Sequence, residues 1–235
     1  MRYLVIDRST SRPGMALFDE GCLLFEHTWD GEPTRAPEWM GDLELLLKDR
    51  QIAVQTLDGF VCGVGPGSFS GIRASLAALS GLALPGGKPV YGVASAAALA
   101  LGQAEGAACV TVIGDARRNR LWCVTYRVDA AARQVRLCDG RAPTHTAEDF
   151  LLVPVGELND AVPADSRVVS SDWERLSTVL SAAFGADRLV THAVFPTAAD
   201  VGRLALSDPA SRVREPLPIY LHPAVAVREA VGTNT

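Results

Sequence analysis

Residues 60–73 of the chain, Phe60-Val61-Cys62-Gly63-Val64-Gly65-Pro66-Gly67-Ser68-Phe69-Ser70-Gly71-Ile72-Arg73, combine the residue types and spacing that could do chemistry. An apolar run stops at a cluster of glycines, and a helix of small residues follows. Such a loop gathers unpaired backbone N–H groups at the positive end of a helix dipole, which is the chemistry of anion binding. Gly65, Gly67, Ser68, Gly71 and Arg73 are therefore candidate anion or nucleotide contacts. Familiar signatures do not fit. No Lys-Ser/Thr follows the last glycine, as a Walker loop requires, and Ser70 stands where a dinucleotide fingerprint has its third glycine. Gly67 and Gly71 bracket Phe69 rather than the serine of a hydrolase elbow. Pro66 also removes one N–H from any phosphate cradle. The same residues suit a tight turn that packs a helix close to its strand, and on residue types alone that reading comes first.

Other chemistries find less support. His27, His145, His192 and His222 are scattered, and none has a second histidine one helical turn away, so a helical zinc pair and the peptidase chemistry it serves are not written here. The five cysteines, Cys22, Cys62, Cys109, Cys123 and Cys138, are odd in number and never arranged C-x-x-C. They read as buried, reduced thiols, which implies the cytosol. The 235 residues carry a net charge of −5, unlike the basic footprint of a protein that grips nucleic acid unaided. Apolar residues at 48% fill a sizeable core, yet no apolar run approaches the roughly 18 residues of a membrane span, and no signal-peptide pattern is expected.

Periodicity supplies the elements that position the loop. At about 100° per residue, Ile72, Leu76, Leu79 and Ala83 share one side of the helix over 72–84, while Ala74, Ala77, Ala78 and Gly81 share the opposite side. A surface helix needs one apolar stripe; a second one made of small residues calls for another helix at close approach, from this chain or a partner. Residues 37–48 predict a helix with Trp39, Met40, Leu43, Leu46 and Leu47 in one stripe and Leu45 pointing elsewhere. Strands are expected over 4–6, 15–18, 23–29, 60–64 and 90–93, with an alanine-rich helix over 95–101. The pattern then recurs. A strand over 109–113 ends at Asp115, as the first ends at Asp7, and a turn over 117–120 leads to strands over 121–128 and 134–138. Thr146 opens a short helix, a strand follows over 167–170, Asp172 caps a helix over 173–184, and Thr197 caps another reaching Leu206. Residues 216–221 read as an edge segment before the tail. The organisation is α/β, with two lobes over 1–104 and 105–235.

Two copies of βββαβα, each opening on a strand that ends in aspartate, resemble the duplicated actin-like ATPase (ribonuclease H-like) architecture. A narrower resemblance rests on Ile6-Asp7-Arg8-Ser9-Thr10, on Gly65 to Arg73 leading into Gly81-Leu82-Ala83, and on Gly92-Val93-Ala94-Ser95, Asp115-Ala116-Arg117 and Tyr220-Leu221. On these residues the chain resembles the bacterial TsaB (YeaZ) family, the smaller actin-fold subunit of the machinery that makes threonylcarbamoyladenosine on tRNA. Ser70 replaces the family's usual threonine, Pro33-Thr34-Arg35-Ala36 stands where the family has a histidine, and His222 stands where it has arginine.

The resemblance implies a non-catalytic, cytoplasmic scaffold that supports a TsaD-type catalytic subunit in threonylcarbamoyl transfer to the tRNA adenosine next to the anticodon. Docking would use Trp39, Leu43, Leu45, Ala74, Ala77, Ala78 and Gly81, the same surface would pair two copies when the partner is missing, and a TsaE-type ATPase would join the complex. Contact with tRNA would be indirect, and no membrane is involved. No cofactor is expected of the chain itself, with ATP or ADP at the partner interface left open. The alternative is an ATPase or phosphotransferase in which Asp7 and Asp115 hold magnesium, with Ser9 and Thr10 near phosphate. Arg8 stands where such enzymes place a glycine, so Asp7 and Asp115 read first as bonding local backbone, and Ser9 and Thr10 as turn formers.

Overall fold

The computed structural model describes residues 1–29, 38–104, 107–207 and 209–221. The segment Pro33-Thr34-Arg35-Ala36, Pro37 and His222 lie outside the described residues. The opening apolar runs form an antiparallel meander of β1 (Arg2–Asp7), β2 (Gly14–Asp19) and β3 (Cys22–Thr28). After α1 (Glu38–Asp49), β4 (Gly59–Gly63) pairs parallel with β1. Then α2 (Phe69–Ala83) carries the chain to β5 (Val90–Val93), parallel to β4, and on to α3 (Ser95–Gly102).

The second half repeats the opening with β6 (Cys109–Asp115), β7 (Arg120–Asp129) and β8 (Gln134–Leu137). Where a helix was expected, Thr146 opens only a single 3₁₀ turn, its hydroxyl accepting from Glu148 N. The chain then forms β9 (Leu151–Pro154), which pairs with the part of β7 that β8 does not reach, and the one-turn α4 (Leu158–Ala161). The run Leu151-Leu152-Val153 satisfies its backbone better on a free strand edge than in an isolated short helix. Next come β10 (Arg167–Val169), parallel to β6, α5 (Trp173–Ala183), α6 (Ala198–Ser207) and β11 (Val213–Arg214).

Two sheets result, one of six strands in the order β11-β5-β4-β1-β2-β3, the other of five in the order β10-β6-β7-β8 with β9 beside β7. Between them lie α3 and α6, in contact with each other. The interlayer is crossed over: α3 packs on β6, β7 and β8, whereas α6 packs on β1, β2 and β4 of the first sheet. Consequently α3 is buried over residues 95–101, which is why it is built of alanine, leucine and serine. Because α6 and β11 return to the first sheet, a boundary at residues 104/105 does not separate two packing units.

Smaller expectations also change. The side chain of Asp172 does not cap α5; Oδ2 accepts from Asp115 N at 2.9 Å, and its backbone carbonyl receives Arg175 N and Leu176 N instead. Thr197 does cap α6, accepting from Asp200 N at 3.0 Å. Residues 216–221 form no strand, although Ile219 N donates to Val64 O at 2.9 Å. All five cysteines are free, and Cys22 and Cys138 are exposed rather than buried, because each sits at a strand end on a sheet edge.

Candidate functional site

The loop after β4 is built around close approach. Asp7, at the end of β1, lays its carboxylate over Gly63, where a Cβ would collide with it and with Ser95 Oγ. Gly65, at φ 96°, donates its N–H to Ser95 Oγ at 3.1 Å and accepts Ser95 N at 2.7 Å, fastening the loop to the start of α3. A Cβ at Gly67 would collide with Ser9 O, and one at Gly71 with Arg8 O. Ser68 N donates to Ser9 O at 2.6 Å, and Ser68 Oγ caps α2 by accepting Gly71 N at 3.2 Å. The glycines thus let the helix entry lie directly on the turn after β1, and several of the loop's N–H groups are spent within the chain.

Arg73 is engaged elsewhere. Its Nε donates to Tyr220 Oη at 2.5 Å and its guanidinium stands 3.9 Å from the Phe69 ring centre, so its charge sits in an exposed aromatic cluster. Thr10 Oγ accepts Arg12 N at 3.3 Å, as a turn former does.

The two strand-end aspartates make the same local bond. Asp7 Oδ1 accepts Ser9 N and Asp115 Oδ1 accepts Arg117 N, both at 2.7 Å. Asp7 is 2% exposed, and burial raises its pKa against the opposing hydrogen bonds of Ser9 and Ser95. The neighbouring Cys62 thiol is pushed well above its usual range, by burial first and by Asp7 second. Asp115 Oδ2 instead faces Arg117 at 3.4 Å and Arg175 at 3.6 Å. Among the described residues no three His, Cys, Asp or Glu side chains come together as metal ligands would.

The helices divide differently from the expected docking surface. In α2 the buried stripe is Ile72, Ser75, Leu79 and Ala83, with the Ser75 hydroxyl closed on Gly71 O at 3.0 Å. Ala77 and Gly81 face outward and Ala74 is half-buried, whereas Ala78 packs against the core beside Leu76 and Leu82. Phe69 and Leu84 bracket this flank at 55% and 80% exposure. In α1, Trp39 and Leu43 are corrections: at 6% and 2% exposure they fill the chain's own core, and Arg8 stacks over the Trp39 ring. Met40, expected in that buried stripe, is exposed, as is Leu45 at 57%.

One feature escaped the reading of residues 60–73. A cleft of about 440 Å³ opens between the β1–β2 turn and the entry to α6, lined among others by Arg12, Thr28, Gln103, His192 and Thr197. These residues come from four distant stretches, so no local motif announces them; the Thr197 cap was the one signal in sequence.

Two βββ meanders, each continued by a parallel strand, with a crossed pair of helices between the sheets, define the duplicated ribonuclease H-like fold of the actin-like ATPase class. A family model described as TsaD, tRNA N6-adenosine threonylcarbamoyltransferase, matches residues 39–138. The chain is 29% identical over 127 residues to the tRNA threonylcarbamoyladenosine biosynthesis protein TsaB of Bacillus subtilis, covering 54% of this chain and 56% of that protein. The TsaB of Escherichia coli is likewise 29% identical, over 133 residues, with 55% and 56% covered. A crystal structure from Pseudomonas aeruginosa, described as similar to peptidase YeaZ, superposes with a TM-score of 0.74 at 25% identity, covering 94% of this chain and 99% of that one. The chain is thus similar to TsaB proteins over about half of its sequence and to a YeaZ-like structure over nearly all of its fold. Its matched stretch spans between 22% and 56% of the curated relatives' own lengths.

Proposed function

We propose that the chain is a non-catalytic subunit of the machinery that makes threonylcarbamoyladenosine on tRNA, and that it docks a TsaD-type catalytic partner through α2. Similarity to the TsaB proteins supports the pathway. The observation that carries the docking is the outward flank of α2, where Ala77 and Gly81 leave a shallow channel between the exposed Phe69 and Leu84. A Cβ on Gly81 would meet nothing within 4 Å, so the flank is open to the close approach of a second helix. Trp39 and Leu43 take no part, and Leu45 adds a rim contact from α1. In this reading the same flank pairs two copies when the partner is absent, a TsaE-type ATPase joins the complex, and tRNA is reached through the partner. The reduced thiols suit the cytoplasm.

The test is Ala77→Glu. An exposed glutamate is well tolerated in a helix, so the variant folds normally, yet it no longer co-purifies with the TsaD-type partner. Unchanged co-purification overturns the docking surface.

A second reading, an ATPase using Asp7 and Asp115 with magnesium, draws support from the equivalent places of the two carboxylates at the ends of β1 and β6, although neither lines the 440 Å³ cleft. The burial of Asp7 and the two arginines on Asp115 weigh against it. Calorimetry with ATP and magnesium separates the readings; tight binding lost in Asp7→Ala would establish the second.

A further inference from the structure

The outer face of the second sheet is covered at one end only. There Ile113, Leu121, Cys123 and Val168 are sealed by Leu158 of α4 and by Leu176 and Leu180 of α5. The first sheet has the three-turn α1 in the corresponding connection, but the second has only a 3₁₀ turn, β9 and the one-turn α4. Nothing in these short elements reaches the far end of β7 and β8, and a hollow of about 280 Å³ remains.

Two arginines meet in that hollow. Arg127 of β7 and Arg136 of β8 are direct partners in the antiparallel register, and Cys109 of β6 is opposite Arg127, so the three form a row across the face. Neighbours of the arginines in sequence, Tyr126, Val135 and Leu137, point the other way into the core, which fixes both guanidinium groups outward. Like charges placed directly opposite across a strand pair are destabilising. No ion pair relieves either arginine among the described residues. Arg127 spends only its Nε, donated to Cys138 O at 3.1 Å, and this bond holds its planar group in place. Asp129 at the rim is turned into its own hairpin, Oδ1 accepting Ala132 N at 2.9 Å, and Gln134 and Ala108 complete the wall.

The geometry points to a phosphate site: we infer that Arg127 and Arg136, with Gln134 beside them, hold the phosphate group of a phosphate ester. Two guanidinium groups side by side on neighbouring strands, both lining one hollow, offer several N–H donors to a tetrahedral oxyanion, and the anion removes the repulsion between them. The ester is either a polynucleotide backbone or a small phosphorylated molecule. The site is remote from the α2 flank and does not depend on the docking reading.

The test uses the full chain and its Arg127→Gln and Arg136→Gln variants, both at exposed positions. Calorimetry with inorganic phosphate, at ionic strength matched with chloride, reads a saturable heat for the native protein and at least tenfold weaker binding for each variant. A short RNA hairpin is then added in competition. If it displaces phosphate, and its salt dependence falls by about one unit for each arginine removed, the ester is a polynucleotide. If phosphate binds and the hairpin does not compete, the ester is a small molecule. No heat beyond that of chloride, or equal binding by native and variant proteins, overturns the site.

Discussion

Buried polar atoms carry much of the specificity at the scale of single residues. His145 is 2% exposed, and its Nδ1 accepts Ala94 N at 3.1 Å at the entry to α3, so the ring is neutral with its proton on Nε2. The His145 backbone N–H donates to Asp149 Oδ2 at 2.8 Å, while Thr144 donates to Asp149 Oδ1. The segment from the second half is thereby pinned to the helix that leaves the first. Burial pushes the His145 pKa down to about 4, against the opposing pull of Asp149 and the Ser211 backbone. Since the unfolded chain protonates near 6.5, it binds more protons than the folded one between these values. Stability contributed by the neutral ring is full above pH 6.5 and is lost as the pH falls toward 4, by about 3 kcal/mol in all. In His145→Asn the amide oxygen replaces Nδ1 as acceptor, and asparagine tolerates the positive φ of 56° at this position. Urea midpoints of that variant should change less between pH 6.5 and 4 than those of the native protein, and an unchanged slope would assign the acid sensitivity elsewhere.

Along α2 the glycines divide by what surrounds them, and they give opposite predictions. Gly71→Ala drives a Cβ into Arg8 O, a backbone atom that cannot swing away, and should cost several kcal/mol, on the order of the larger core substitutions. Gly81→Ala meets open space in a helix interior and should raise stability by about 0.5–1 kcal/mol. If α2 docks a partner helix, the same Gly81→Ala also weakens co-purification, so folding and docking move in opposite directions. Thermal midpoints and pull-down yields on the same two variants read both effects. This element was legible in the sequence to within a few residues, since glycine punctuation and 3.6-residue spacing are local signals. What the pattern could not reveal was the use of the glycines: collisions with Ser9 O and Arg8 O depend on a turn sixty residues away in the chain. Trp39 and Leu43 were misassigned for a related reason. An apolar stripe on a helix states that one side is covered, not whether the cover comes from the same chain.

The whole molecule is held by the exchange of α3 and α6 between the halves, and this too lay beyond local pattern. Both repeats were readable from their strand-end aspartates and meanders, but the repeat alone suggests two self-contained lobes. In the fold, the first sheet is completed by α6 and β11 from the end of the chain, and α3 covers the second sheet. Gly202 of α6 lies on Phe18 of β2 so closely that a Cβ would collide with the ring. Gly202→Val therefore forces α6 off the first sheet, and because α6 also touches α3, the disturbance passes to the second sheet. Hydrogen exchange checks this. Amides of β1 and β6 in the native protein should open with one shared free energy, and in Gly202→Val both should fall together by about 1–3 kcal/mol. A fall confined to β1 would mean that the sheets unfold separately and that the exchanged helices do not couple them. The fragment 1–104 gives the complementary result: without α6 it leaves the inner face of β1, β2 and β4 bare, so it should lack cooperative unfolding, whereas a sharp transition for that fragment would make the first lobe a folding unit in its own right.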